Sequence, residues 1–318
     1  MKVAVVGAAG LVGRTMLRVL EKRDFPVSEI ALYGQRTGDS LIFRGSELKT
    51  IRLTPSSVKA FDLALFSAGS DVSLKYAPQF AKKGALVVDN SSAWRQHPRV
   101  PLVVPEVNPE ALRDVPVGIV ANPNCSTIQM VVALKPLVRF GIKEVFVSTY
   151  QAVSGAGKIG IDALLAEEKG TRLQDSPHLG IIHRNVLPGI GKSEEGFYEE
   201  ETKLIRETKK IMGLAIPVHP TAVRVPVITG HSEAVAVRLR KSVSLEEIRS
   251  AMAKQEGLVL SDGFITPKEA EGRDEVFVSR LRFSPDDPKV ILMWVVSDNL
   301  LKGAALNAVQ IAERALLR

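Results

Sequence analysis

Cysteine is nearly absent: the chain carries one, Cys125, in 318 residues. No disulfide can close within it, so stability rests on packing, and the chemistry suits a reducing compartment such as the cytoplasm. Nor is a secretory leader expected. Met1-Lys2-Val3-Ala4-Val5-Val6 runs straight into a strand pattern, without the basic stretch and long apolar segment of a signal peptide. No apolar run approaches the ~20 residues that span a bilayer, so no membrane segment is expected. Nor is there a basic block with interleaved aromatics. The net charge of +7 is scattered among acids, as in Glu207-Thr208-Lys209-Lys210. That argues against a nucleic-acid partner and suits an anionic substrate and cofactor. With one cysteine and histidines away from ligand spacing, no metal site is expected. A Gly-x-Ser-x-Gly elbow is also absent, which weakens the case for a serine hydrolase.

What is present is organised. The length fits two ordinary domains, and 45% apolar with 24% charged residues is a globular balance. Residues 3–6, 30–33, 63–67, 86–88 and 118–121 read as buried strands, with helices between them such as 12–22 and 73–82. This alternation predicts an α/β fold with a Rossmann-like, doubly wound parallel sheet. The pattern changes after Asn124. Residues 143–152, 223–227, 233–240, 277–283 and 290–297 read as strands, several separated by loops. They predict an α+β domain with a mixed, mostly antiparallel sheet. Residues 301–317 read as a long apolar helix packing back on the first domain. Residues 170–195, rich in Pro, Gly and His, read as a functional or interface loop. The domains are drawn at 1–123 with the C-terminal helix 300–318, and at 124–299.

Gly7-Ala8-Ala9-Gly10-Leu11-Val12-Gly13 follows the first strand and opens the first helix. Its glycines are spaced three and three, where the usual dinucleotide fingerprint has two and three. Both spacings allow a tight turn and bring a helix N-terminus to a pyrophosphate. Glycines there also serve plain strand–helix packing. The next strand ends Tyr33-Gly34-Gln35-Arg36-Thr37-Gly38, with no acid for a ribose hydroxyl. Arg36 is placed for a 2′-phosphate, which favours NADP over NAD; the plainer alternative is a solvated turn arginine.

Asn122-Pro123-Asn124-Cys125-Ser126-Thr127 lies between a strand and an apolar helix read at 128–137. A cysteine near a helix N-terminus is favoured as thiolate and can attack an aldehyde or acyl phosphate. The bland alternative is a small buried hydrophobe. A nucleophile needs a proton-transfer partner, and the histidines are His97, His178, His183, His219 and His231. His231 opens a strand, seven residues after Arg224, a cation suited to an anionic substrate. Spacing alone does not separate it from the other four.

Several motifs together carry a family resemblance that runs nearly end to end. They are the glycine turn 7–13, Asn90-Ser91-Ser92-Ala93-Trp94-Arg95, Val103-Val104-Pro105-Glu106-Val107-Asn108 and the Cys125 motif. Gln151-Ala152-Val153-Ser154-Gly155-Ala156-Gly157, Glu200-Glu201-Thr202-Lys203 and Arg224-Val225-Pro226-Val227 follow. The last are Gly230-His231-Ser232-Glu233 and Ser297-Asp298-Asn299-Leu300-Leu301-Lys302-Gly303-Ala304-Ala305. In this the chain resembles aspartate-β-semialdehyde dehydrogenase. The resemblance implies NADPH-dependent reduction of L-aspartyl-4-phosphate to L-aspartate 4-semialdehyde with release of phosphate. It places the chain in lysine, threonine, methionine and diaminopimelate biosynthesis. It implies Cys125 as nucleophile, His231 as acid/base and Gln151 as the residue orienting the thioester carbonyl. Arg224 and Glu200 would take the substrate carboxylate and ammonium, Arg95 and Lys203 its phosphate, and Asn124 would shape the pocket. The NADP-binding residues would be Gly7, Ala9, Gly10, Leu11, Val12, Arg36, Thr37, Ser67, Ala68, Ser154, Gly155 and Asn299. It makes 1–123 the NADP-binding domain and 124–299 the catalytic and dimerisation domain of a homodimer, or a tetramer. Ala9 and the aromatic at Phe197 depart from residues common in the family, away from the chemistry. Two alternatives stay open: N-acetyl-γ-glutamyl-phosphate reductase, whose usual Asn-Pro-Gly-Cys-Tyr-Pro is not matched, and a non-catalytic dinucleotide-binding relative.

Overall fold

The computed structural model describes residues 1–317; Arg318, the end of the helix expected at 300–318, lies outside the described residues. The chain forms two compact units. One runs Met1–Pro123 and resumes at Ala304, and the other is Asn124–Gly303.

The first unit contains β1 (Lys2–Val6), α1 (Leu11–Lys22), β2 (Glu29–Gly34), β3 (Ser40–Phe43), β4 (Ser46–Lys49), β5 (Ile51–Arg52), β6 (Leu63–Phe66), α2 (Ser70–Lys82), β7 (Leu86–Asp89) and β8 (Ile119–Ala121). Six strands form a parallel sheet in the order β5-β2-β1-β6-β7-β8. β6 is buried at every residue because helices cover a parallel sheet on both faces. Tyr33, Phe66 and Phe80 meet edge to face, with ring centroids 5.4–5.6 Å apart. Strand order reverses between β1 and β6, so the turns after these two strands adjoin at the switch point. A β3–β4 hairpin occupies residues that showed no clear pattern in the sequence. The C-terminal helix (Leu306–Leu316) belongs to this unit, and Arg23 clamps its Glu313 with two 2.7 Å bonds. It does not begin at residue 301: Leu301–Ala305 form a π-turn.

The second unit contains α3 (Cys125–Leu134), β9 (Ile142–Gln151), α4 (Lys158–Glu168), β10 (Ser193–Glu194), β11 (Phe197–Tyr198), α5 (Glu199–Met212), β12 (Val218–Arg224), β13 (His231–Leu239), α6 (Leu245–Ala253), β14 (Leu258–Leu260), α7 (Pro267–Ala270), β15 (Val276–Phe283) and β16 (Val290–Ser297). Its sheet runs β12-β9-β13-β16-β15-β14. The three central pairs are antiparallel and the two outer pairs parallel. Most strand boundaries shift by one or two residues from the sequence reading, and two elements differ more. The strand read at 223–227 is β12, which ends at Arg224. Pro220 is tolerated there because β12 is an edge strand, whereas Pro226 has no N–H to continue a ladder. The helix read at 128–137 starts earlier, at Cys125, and gives way to a 3-10 turn at Lys135–Phe140, where Pro136 cannot continue it. α3 packs over β13 and β16 and beside α5. Among the described residues, no helix is long and apolar enough to cross a membrane.

Candidate active site

In the first unit, the turn after β1 has the shape a dinucleotide needs. Gly7 has φ +82°, and a Cβ there would meet the Ser67 carbonyl oxygen at 2.1 Å. Beside the turn is a cavity of about 540 Å³ lined by Gly7, Ala9, Gly10, Arg36, Ser67 and Ala68. Leu11, Val12 and Thr37, expected at this site, are not part of the lining. Leu11 opens α1, and Thr37 accepts the Arg52 N–H. Tyr33, Tyr76 and Asp39 line the cavity without having been singled out. Asp39 is an acid just past the tip that reads as acid-free. Arg95 is buried in this unit, donating to the carbonyls of Asn122 at 3.0 Å and Asn90 at 2.7 Å.

In the second unit, three neighbouring strands bring functional side chains to one end of the sheet. Arg224 closes β12 in register with Gln151, the last residue of β9. His231 opens the antiparallel β13, and its Nδ1 accepts the Ala152 N–H at 3.0 Å. An Nδ1 that accepts leaves the neutral ring's proton on Nε2. Burial and the neighbouring Arg224 push the imidazole down to about 3, so His231 is neutral around pH 7. Its ring lies beside Gly155, where a Cβ would come within 3.3 Å of Nε2 and 2.8 Å of Arg224. Of the other histidines here, His178 faces the Gly160 carbonyl oxygen, and His219 stacks on Phe146 at 4.5 Å.

Cys125 is the first residue of α3 and half-buried. Asn124 caps the helix by accepting from Ser126 N and Thr127 N at 3.0 and 3.2 Å. Its amide donates to Glu200 at 2.7 Å, and its backbone N–H to Glu207 at 2.6 Å. Glu200, Lys203 and Glu207 therefore face the nucleophile loop from one side of α5. Burial would raise the Glu200 pKa, but Lys203 at 3.2 Å, the Asn124 amide and Arg224 hold it at about 2. Arg224 donates to the Ala152 carbonyl at 2.7 Å; burial lowers its pKa against the pull of Glu200 and Cys125. Gly303 is needed because a Cβ there would be 2.9 Å from the Cys125 Cβ. Ser154 and Asn299 bond each other at 3.0 Å, and Asn299 also accepts the Gly230 N–H at 2.8 Å. Glu207 was missed in the sequence, although its spacing of seven from Glu200 marks the same helix face. No cluster of three or more candidate metal ligands occurs among the described residues.

The arrangement joins a helix-terminal thiol, a neutral Nε2–H donor, and a buried arginine and glutamate that act on each other. Residues 2–115 match the NAD binding domain of semialdehyde dehydrogenases, and residues 134–302 match their dimerisation domain. An aspartate-semialdehyde dehydrogenase of Aquifex aeolicus is 50% identical, over 98% of this chain and 97% of its own. A crystal structure of aspartate semialdehyde dehydrogenase II from Vibrio cholerae, complexed with ASA, superposes with a TM-score of 0.94 at 42% identity, over 99% and 98% of the two chains. The Candida albicans enzyme with NADP gives 0.76 at 25% identity, over 98% and 97%. The chain belongs to the aspartate-semialdehyde dehydrogenase family.

Proposed function

We propose that this chain reduces L-aspartyl-4-phosphate to L-aspartate 4-semialdehyde with NADPH, in the cytoplasm, for lysine, threonine, methionine and diaminopimelate biosynthesis. The observation that carries this reading is the helix-terminal Cys125 set among Asn124, Glu200, Arg224 and His231 in one buried cluster. Arg224 takes the substrate carboxylate as a fork, and Glu200, held ionised, takes its ammonium. The Cys125 thiolate attacks the acyl phosphate, and phosphate leaves, giving a thioester at Sγ. Lys203 meets the charge of the phosphate. The bound dinucleotide supplies the two-electron reduction of the thioester. His231 stabilises the oxyanion that forms by donating a hydrogen bond from its neutral Nε2–H, and Gln151 orients the carbonyl. Collapse of the adduct releases the aldehyde and restores the thiolate.

The first unit is the NADP-binding domain, with Gly7, Ala9 and Gly10 against the phosphates and Arg36 on the 2′-phosphate. The second unit is the catalytic and dimerisation domain. The outer face of its sheet supports a homodimer, since Phe146 and Tyr150 are 46% and 36% exposed on it.

The test is phosphate-dependent reduction of NADP by L-aspartate 4-semialdehyde, run beside N-acetylglutamate semialdehyde. Turnover of the first aldehyde alone supports the reading. Turnover of the second moves the chain to acetylglutamyl-phosphate chemistry, and turnover of neither, with NADP bound, makes it a non-catalytic relative. Cys125→Ala should cost at least about a thousandfold in kcat while NADP binding, followed by fluorescence titration, is unchanged.

A further inference from the structure

Glu233 is fully buried on β13, and neither carboxyl oxygen has a hydrogen-bond partner. It shares the inner face of the strand with His231, two residues earlier. Its cross-strand neighbours on that face are Thr149 on β9 and Val295 on β16. Gln129 lies one helical turn after Cys125 on α3. Its Oε1 accepts the Ser297 hydroxyl at 2.7 Å, and its Nε2 has no partner. Ser297 is in turn paired with His231 across β13 and β16. Two buried groups, a carboxyl and an amide N–H, neither with another partner, thus stand together behind the nucleophile and its acid, close enough for the amide to act on the carboxyl.

A charged carboxylate is not tolerated there. An unpaired buried charge costs several kcal/mol, and such a group sheds its charge by taking a proton. We propose that Glu233 is a positioning residue: a neutral carboxyl that, through the Gln129 amide, fixes α3 against the strand carrying His231. Burial, opposed only by Gln129, keeps its pKa well above the ordinary 4.5. A leucine of similar size would remove the desolvation cost. That a costly acid occupies this position fits a role in setting the Cys125–His231 spacing, where small displacements cost large factors in rate.

The inference rests on the proposed function but is tested partly without the substrate. Wild type, Glu233→Leu and Glu233→Gln are compared for turnover of L-aspartate 4-semialdehyde, for Cys125 alkylation by iodoacetamide across pH, and for Tm at about pH 5 and about pH 8. Glu233→Leu should raise Tm, more at the higher pH, because the unfolded acid ionises above 4.5 while the native one keeps its proton. The same variant should lower kcat roughly tenfold or more at little-changed KM and slow alkylation. Glu233→Gln, neutral and the same shape, should restore most of the kcat. Full activity and alkylation in Glu233→Leu would overturn the proposal. So would a lower Tm in that variant, which marks a merely structural acid, or a Gln variant as impaired as Leu, which marks a need for ionisation. If wild type turns over no substrate, the function fails, and Tm and alkylation still judge Glu233.

Discussion

Glu200 and Glu233 are both buried in the second unit, at 5% and 0% exposure, yet their surroundings drive them in opposite directions. Around Glu200, on α5, stand the Asn124 amide, Lys203 and Arg224, and together they overcome burial and keep the carboxylate ionised at about 2. Around Glu233, on β13, stand an amide, a hydroxyl residue and aliphatic groups, and burial wins. Partners, rather than depth, decide the charge of a buried acid. On the proposed function the site uses both results: charge in front, assigned to a zwitterionic substrate, and neutrality behind, assigned to holding helix and strand in register. The largest blow to the front should be Arg224→Leu. It removes the fork and one of the cations compensating Glu200, and kcat/KM should fall by roughly a thousandfold, about 4 kcal/mol. Steady-state kinetics with an unchanged KM would remove Arg224 from substrate binding.

The two acids should also differ in sign when removed. Glu200→Leu leaves Arg224 and Lys203 with less compensation and should destabilise by about 3 kcal/mol in urea unfolding. Glu233→Leu should stabilise. Equal signs would break the comparison. A smaller effect comes from pH. His231 has its pKa depressed from 6.5 to about 3, and Glu200 from 4.5 to about 2. The unfolded chain therefore binds more protons at both sites as acid is added. The His231 contribution is intact above 6.5 and is lost as pH falls from there toward 3; that of Glu200 is lost from 4.5 toward 2. Glu233, with its raised pKa, acts in the opposite sense over this range, so the informative quantity is a difference: from about pH 7 to about pH 5 the urea midpoint should respond less favourably in wild type than in His231→Gln. The same slope in both would remove His231 as its source.

Periodicity made the alternation of the first unit and most strands of the second legible, because buried strands and amphipathic helices leave it in the chain. The start of α3 was not legible that way. Its apolar run begins at Ile128, while the helix begins at Cys125, and the polar first turn looks like loop unless Asn124 is recognised as its cap. β12 was misplaced because Pro220 reads as a breaker until the strand is known to be an edge. The β3–β4 hairpin buries only Leu41 and Phe43, too few residues to leave a pattern. Cys125 stood out by its place before an apolar helix, His231 with Arg224 stayed among alternatives until the family resemblance chose them, and Glu200 was named through the resemblance alone. The inward parity of Glu233 with Val235 and Val237 was readable. What it faces was not, since Gln129 and Val295 meet it from more than sixty positions away on either side.

Asn124 joins the front of the site to the nucleophile helix and separates two of its causes of order. One side-chain oxygen caps α3, worth about 1 kcal/mol, and the amide nitrogen holds Glu200. Asn124→Ala loses both and should destabilise by about 1–2 kcal/mol. Asn124→Ser keeps a cap but loses the reach to Glu200, so it should regain most of the stability while KM stays raised. Asn124→Asp keeps the cap and sets a second carboxylate where the amide was, 2.7 Å from Glu200. Two acids that close cannot both ionise, so the pH at which KM begins to rise on acidification should move upward. KM profiles for Asn124→Ser and Asn124→Asp that overlay would show that Glu200 draws its charge from Lys203 and Arg224 alone. Profiles that separate would make the amide part of the reason one acid in this unit is charged and the other is not.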